Sequence, residues 1–250
     1  MTMLNARTAT VMTALALVLA ACGREAQTDK AVDTEGPDGM VSSSISGDSA
    51  DKVGMAMVRI VNAAAGSQDL VVRTDETHAL PAVAYKGVTP YQMIDRSWVT
   101  FQVRSTPNAT FDPLETNREM LTDGHRYTLV VMPDDQGMRT RVFRDEISSD
   151  TMMAQVRVIH AAPGIGEVNV IARGGEAIFD GVNFSSEAGY KGVAPFTGTL
   201  EIRAEDGNRL LATVPNVSLA RAASSTIVLA RSGAGKLEAF SFSDSQQSMP

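Results

Sequence analysis

His160, Cys22 and two Tyr-Lys pairs are the residues of this chain best equipped for chemistry. His160 ends the run Val156-Arg-Val-Ile-His160 beside Ala-Ala-Pro-Gly at 161–164, where an imidazole nitrogen would serve as a general base or a metal ligand. Tyr85-Lys86-Gly87 and Tyr190-Lys191-Gly192 each set an aromatic face beside an ammonium group, a combination that suits a sugar ring or an anionic polymer. Cys22 follows Leu19-Ala20-Ala21 and is the only cysteine, so it closes no intrachain disulfide and builds no cysteine-based zinc or iron–sulfur site.

Each of these has a plainer explanation to weigh. His160 has Asn62 at the matching place in an earlier, similar stretch; asparagine does no acid–base work, and both side chains can bond exposed turn backbone, so capping is the shared property. In the Tyr-Lys-Gly triplets, a packed tyrosine, a solvated lysine and a turn or bulge glycine would account for the same letters. Asp134-Asp135 and Glu205-Asp-Gly-Asn208 lack the alternating ligands of an EF-hand and fit hairpin turns. Gly233-Ala-Gly-Lys236 is followed by Leu237 where a phosphate loop needs Ser or Thr. Nucleophile elbows and His-Glu-x-x-His helices are absent, whereas a pair of carboxylates for glycoside hydrolysis needs only to converge in space and leaves no sequence trace. No cofactor and no metal is implied, and the chain reads as a non-enzyme.

Composition narrows the class. The chain has 250 residues, 44% hydrophobic and 20% charged, enough for one large or two small cores, which excludes collagen-like, coiled-coil and multispanning membrane proteins. A formal net charge of −7 with scattered basic residues disfavours a nucleic-acid partner. Arg7 and the apolar run from Val11 to Ala21 form an export signal too short to span a bilayer of roughly 30 Å hydrocarbon thickness. Leu19-Ala20-Ala21-Cys22 resembles the lipobox of bacterial lipoproteins, which implies cleavage between Ala21 and Cys22 and acylation of the Cys22 thiol. Gly23 at the next position, in place of aspartate, resembles the outer-membrane pattern of a double-membraned host. From 22 to 54 the chain is rich in acids, Gly and Ser and has no aromatic residue, so it is expected to be a flexible tether, with an r.m.s. reach of about 30 Å.

The elements that must position the candidate residues come in two copies. Val58-Arg-Ile-Val-Asn-Ala-Ala-Ala-Gly66 matches Val156-Arg-Val-Ile-His-Ala-Ala-Pro-Gly164 at a spacing near 98, and Tyr85-Lys-Gly-Val-Thr-Pro90 matches Tyr190-Lys-Gly-Val-Ala-Pro195. Leu121 and Tyr127-Thr-Leu-Val-Val-Met132 likewise match Leu219 and Ser225-Thr-Ile-Val-Leu-Ala230. Apolar residues recur at every second position, as in Leu70 and Val72 or Leu200 and Ile202, and turn residues separate the runs. The pattern predicts an all-β chain of two tandem antiparallel β-sandwich (Ig-like) domains, at 55–148 and 152–243, joined by a short linker and followed by a disordered tail at 244–250. Leu114 to Leu121 and Ser218 to Ala223 are each expected to allow a helical turn.

Val156 to Gly164, the alternating Val168-Asn-Val170, Gly189-Tyr190 and Gly198-Thr-Leu-Glu-Ile-Arg203 resemble the bacterial family catalogued as domain of unknown function 4397. The second copy matches over its length; the first has Asn62 for His160, Ala65 for Pro163, and Trp98 or its neighbour for Gly198. The resemblance implies an extracytoplasmic, β-rich, often tandem and often lipid-anchored protein, and it supplies no activity. The expectation is a non-catalytic protein of the cell envelope, anchored through Cys22, that binds a protein or glycan with Tyr85, Lys86, Tyr190, Lys191 and His160 as candidate contacts. Two alternatives stand beside it: a structural or scaffold component without a discrete ligand, and an uncharacterised enzyme.

Overall fold

The computed structural model describes residues 55–67, 69–74, 78–105 and 113–244. The signal at 1–21, the Leu19-Ala20-Ala21-Cys22 site, the tether to 54 and residues 245–250 lie outside the described residues. The first repeat contains β1 (Ala56–Asn62), β2 (Leu70–Arg73), β3 (Gln92–Ile94), β4 (Trp98–Val99), β5 (Gln102–Ser105), β6 (Leu114–Glu115), β7 (Glu119–Met120), β8 (Arg126–Asp134) and β9 (Gly137–Arg144). The second contains β10 (Ala154–His160), β11 (Val168–Ala172), β12 (Ala177–Val182), β13 (Ser186–Val193), β14 (Phe196–Ala204), β15 (Leu210–Leu219), β16 (Ser224–Arg231) and β17 (Leu237–Ser243). Among the described residues every helix or strand element is a strand, so the two expected helical turns do not form. Their apolar residues serve sheets: Leu114 packs on the first core, and Val217 and Leu219 belong to the second.

Alternation along the strands builds two sandwiches. In β1, Ala56, Val58 and Ile60 face the layer made of β2-β5-β6 and the short pair β4-β7, meeting Leu70, Val72, Phe101, Val103, Leu129 and Val131. In β10, Ala154, Val156 and Val158 do the same against the sheet β12-β11-β14-β15. Each such core side chain, fully withdrawn from water, contributes about 1.5–3 kcal/mol if it is Val, Leu or Ile.

The tandem β-sandwich architecture stands, but the expected antiparallel pattern needs one correction in each copy. The sheets are ordered β3-β1-β8-β9 and β13-β10-β16-β17, and β1 pairs with β8, and β10 with β16, in parallel. A parallel pair needs a long crossover, and here the crossover is the whole opposite layer of the sandwich.

A second departure concerns the other face of these strands. Period two suggested one buried face, yet all seven residues of β1 and of β10 are buried. The second faces of the two central sheets pack on each other, with Val61, Ala63, Val130 and Met132 against Ile159, Ala161, Val228 and Ala230. Strands covered on both sides belong to the middle of a stack, as in sheets buried on both faces. The stack therefore has four layers, with the first and last residues of the expected linker, Ser148 and Thr151, crossing at its side.

The register also realigns the repeat. Val58 pairs with Gln92 in β3, and Val156 with Lys191 in β13, so Tyr190 corresponds to Tyr91 and not to Tyr85. Lys86 donates its backbone N–H to Asn62 O at 2.8 Å, as Ser185 does to His160 O, and both turn residues have φ of 62°. The two Tyr-Lys-Gly triplets thus occupy different places: Lys86 in a turn, Lys191 inside a strand.

Candidate functional site

The candidate residues gather at the junction of the two repeats, where a signal not singled out from sequence dominates. Arg59 and Arg157 sit at equivalent positions in β1 and β10 and point into the layer between the central sheets. Arg59 donates from Nε to Thr128 Oγ1 at 2.9 Å and from Nη2 to Asp244 Oδ1 at 2.5 Å. Arg157 donates from Nε to Thr226 Oγ1 at 2.9 Å, and its Nη1 lies 2.7 Å from Asp145 Oδ1. Each arginine of one repeat therefore pairs with an aspartate just past the last strand of the other, Asp145 after β9 and Asp244 after β17.

The aspartates are tied back to their own repeats. Thr128 Oγ1 lies 2.8 Å from Asp145, and Thr226 Oγ1 donates to Asp244 Oδ2 at 2.8 Å. Tyr91 Oη donates to Asp145 at 2.5 Å, and its ring lies 4.7 Å from the Arg59 guanidinium, a distance repeated between Arg157 and Tyr190. Burial works against both guanidinium charges, but the facing carboxylates outweigh it and raise both arginines above their ordinary value. Burial raises the Tyr91 and Tyr190 phenols, helped at both by Asp145. Asp244 is consequently no part of a tail, because its carboxylate is fully buried and holds Arg59. Glu187 has no acidic counterpart, since Val88 stands at its place in the first repeat; burial raises its carboxyl despite Arg157 at 3.1 Å.

His160 is fully buried. Its Nδ1 accepts from Ala162 N at 3.3 Å and its Nε2 faces Gly166 O at 3.2 Å, which assigns the proton to Nε2. Asn62 does the equivalent work, with Oδ1 accepting from Ala64 N at 2.9 Å and Nδ2 donating to Val83 O and Ser67 Oγ at 3.2 Å each. Burial holds the His160 imidazole below its ordinary value. The geometry is that of a neutral cap for the turn after β10.

Tyr85 and Lys86 form the turn that leans on the second repeat. Tyr85 Oη donates to Arg231 O at 3.1 Å, burial and Glu238 push the phenol up to about 12, and Lys86 is ion-paired with Glu238. The equivalent turn, Phe184-Ser185, leans the opposite way, with Arg141 Nε donating to Ser185 Oγ at 2.8 Å and the Arg139 guanidinium 5.8 Å from the Phe184 ring. Lys191 instead donates to Ile178 O at 2.8 Å within its own repeat. Four of the five candidate binding residues thus serve caps or the junction; Tyr190 also borders a cleft of about 360 Å³ with Arg144, Glu146, Glu187 and Gly189. The acidic turns are as expected: Asp134 accepts from Asp135 N and Arg139 Nε at 2.7 Å each, and Asp206 accepts from Asn208 N at 3.0 Å.

Comparison with known proteins agrees with the twofold repeat. The sequence model of a family described as "Domain of unknown function (DUF4397)" matches residues 56–171 and 154–250, the two matches overlapping over β10 and most of β11. No curated protein matches the chain.

Proposed function

From the premise that the chain belongs to the DUF4397 family, we propose that it is a non-catalytic lipoprotein of the cell envelope, held by acylated Cys22 and displaying its two fused sandwiches to a protein or glycan. Support for the anchor comes from Leu19-Ala20-Ala21 before the sole cysteine. The observation that carries the non-catalytic reading is the fate of the chemistry-capable side chains. His160 is spent on a turn, and Tyr85, Lys86, Arg59 and Arg157 on holding the repeats together. What the protein offers a partner is then surface, which suits recognition better than turnover.

The test is crosslinking in intact cells followed by recovery of the full-length protein, with Cys22→Ser as the mislocalised control and palmitate labelling of both. Labelled wild type that recovers a discrete envelope protein or glycan, with both signals lost in the control, is the expected result. Unlabelled wild type would overturn the anchor, and labelled wild type that recovers nothing would leave a passive scaffold in place of a binding module.

A further inference from the structure

Six large apolar side chains are exposed among the described residues, and four of them, Met55, Met93, Trp98 and Met120, belong to the first repeat. Trp98 pairs with Met120 across β4 and β7, and the equivalent pair in the second repeat is Thr197 with Ser218 across β14 and β15. Met93 pairs with Met57 where the second repeat pairs Gly192 with Gln155. The fold therefore builds the same cross-strand positions from polar or small residues in one copy and from large apolar ones in the other. Trp98 is half exposed and Met120 is 59% exposed, so neither contributes its full apolar surface to the core.

The position of this surface is informative. Met55, where the described chain begins, donates its N–H to Asp123 Oδ1 at 2.8 Å and accepts from Gly124 N at 2.9 Å. Asp123 is three residues beyond Met120, no more than about 11 Å of chain, and Leu121 N donates to Ser97 O beside Trp98. The Arg118 guanidinium lies 5.3 Å from the Trp98 ring, and Arg96 is exposed two residues before it. Tryptophan and arginine together suit the headgroup layer of a bilayer, where an indole has one apolar and one polar side and guanidinium groups reach phosphates.

We propose that this Trp98–Met120 surface of the first repeat, with Met93, Arg96 and Arg118, rests on the phospholipid surface of the membrane that holds the chain. The inference builds on the lipid-anchored reading above. Cys22 and Met55 are 33 residues apart, and a solvated chain of that length spans about 30 Å r.m.s., so the repeat that carries the apolar surface is also the one held near the bilayer. Tethering raises the effective concentration of the bilayer to the millimolar range, which lets a patch of modest affinity stay seated. An exposed apolar patch on the opposite repeat would lack that advantage, and its counterpart positions are Thr, Ser and Gly.

Trp98 is the chain's single tryptophan, so its emission reports on this surface alone. The full-length acylated protein is reconstituted on vesicles of phosphatidylethanolamine and phosphatidylglycerol, with and without bromine-labelled acyl chains, and assayed by flotation and by tryptophan quenching. Flotation with quenching by the brominated lipid, and clear loss of quenching in the floating Met93→Ser/Met120→Ser variant, is the expected outcome. Flotation without quenching overturns this inference and leaves the anchor intact; equal quenching in the variant also overturns it. Failure to float removes the anchor and this inference with it. Trp98 unquenched on vesicles but shielded from aqueous iodide in native membranes would name a protein as the occupant instead, and would equally overturn it.

Discussion

Replacing Asp244 by Ala should destabilise both repeats at once. The carboxylate accepts from Arg59 Nη2 at 2.5 Å and from Thr226 Oγ1 at 2.8 Å, and both it and the Arg59 side chain are almost wholly withdrawn from water. Stripping one partner from a buried ion pair costs about 3–5 kcal/mol, because the remaining charge is left in a poor solvent. Asp145, 3.6 Å from the same guanidinium, offsets part of that loss and places the expected cost near the lower figure, about 3 kcal/mol. For a folded unit of this size each kcal/mol moves Tm by about 2–4 °C, so the shift should be about 6–12 °C downward. The assay is thermal unfolding followed by circular dichroism, repeated in an Arg59→Met background. There the abandoned charge is gone, and Asp244→Ala should cost at least about 1 kcal/mol less, since contacting residues do not act additively. A Tm change under about 2 °C in the first background, or full additivity in the second, would refute the view that this bond fastens one repeat to the other.

Two further outcomes follow from the junction and the turn beside it. Burial keeps the His160 imidazole below its ordinary value of 6.5, so under that pH the unfolded chain takes up a proton that the folded one does not. Stability from this source is complete above about 6.5 and declines as pH falls toward the folded value; His160→Asn, which installs the residue found at Asn62, should flatten that decline between pH 7.5 and 5 in urea titrations, and identical slopes would count against it. Ala161→Leu should overfill the fully buried layer between the central sheets and cost about 1–3 kcal/mol in the same titrations, whereas an unchanged midpoint would show that the sheets are free to part there.

Much of the fold was legible because it is local. Period two in Val58-Arg-Ile and Leu70-Val-Val reads directly as strand, and the spacing near 98 reads as two copies. The stacking of the copies was harder to see, since Val61 and Ile159 are apolar on the face that alternation assigns to water, and only the partner sheet explains them. The paired arginines were visible as Val-Arg-Ile and Val-Arg-Val, and a charge at the same place in two otherwise apolar strands was the available sign of a buried ion pair. Its partners, Asp145 and Asp244, lie 86 residues or more along the chain and carry no local signature. The Tyr-Lys-Gly match misled because identical letters outweighed spacing: 85 to 190 is 105, while Tyr91 to Tyr190 is 99, in keeping with the strands around them. The role of Asn62 and His160 was readable because both sit before a turn and share only the capacity to bond its backbone.

The parallel pairing of β1 with β8 sets the order in which the chain can fold. Val58 waits for Tyr127, and Val156 for Ser225, each partner 69 residues downstream. Non-local closure of this kind is slow, because the loop entropy must be met before any contact repays it. A chain emerging N-terminus first from a ribosome or a narrow channel thus presents β1 as an unmated apolar strand until most of its repeat has followed. Slow closure keeps the polypeptide threadable through such a channel, and it leaves the same strand dependent on a holding chaperone while it waits.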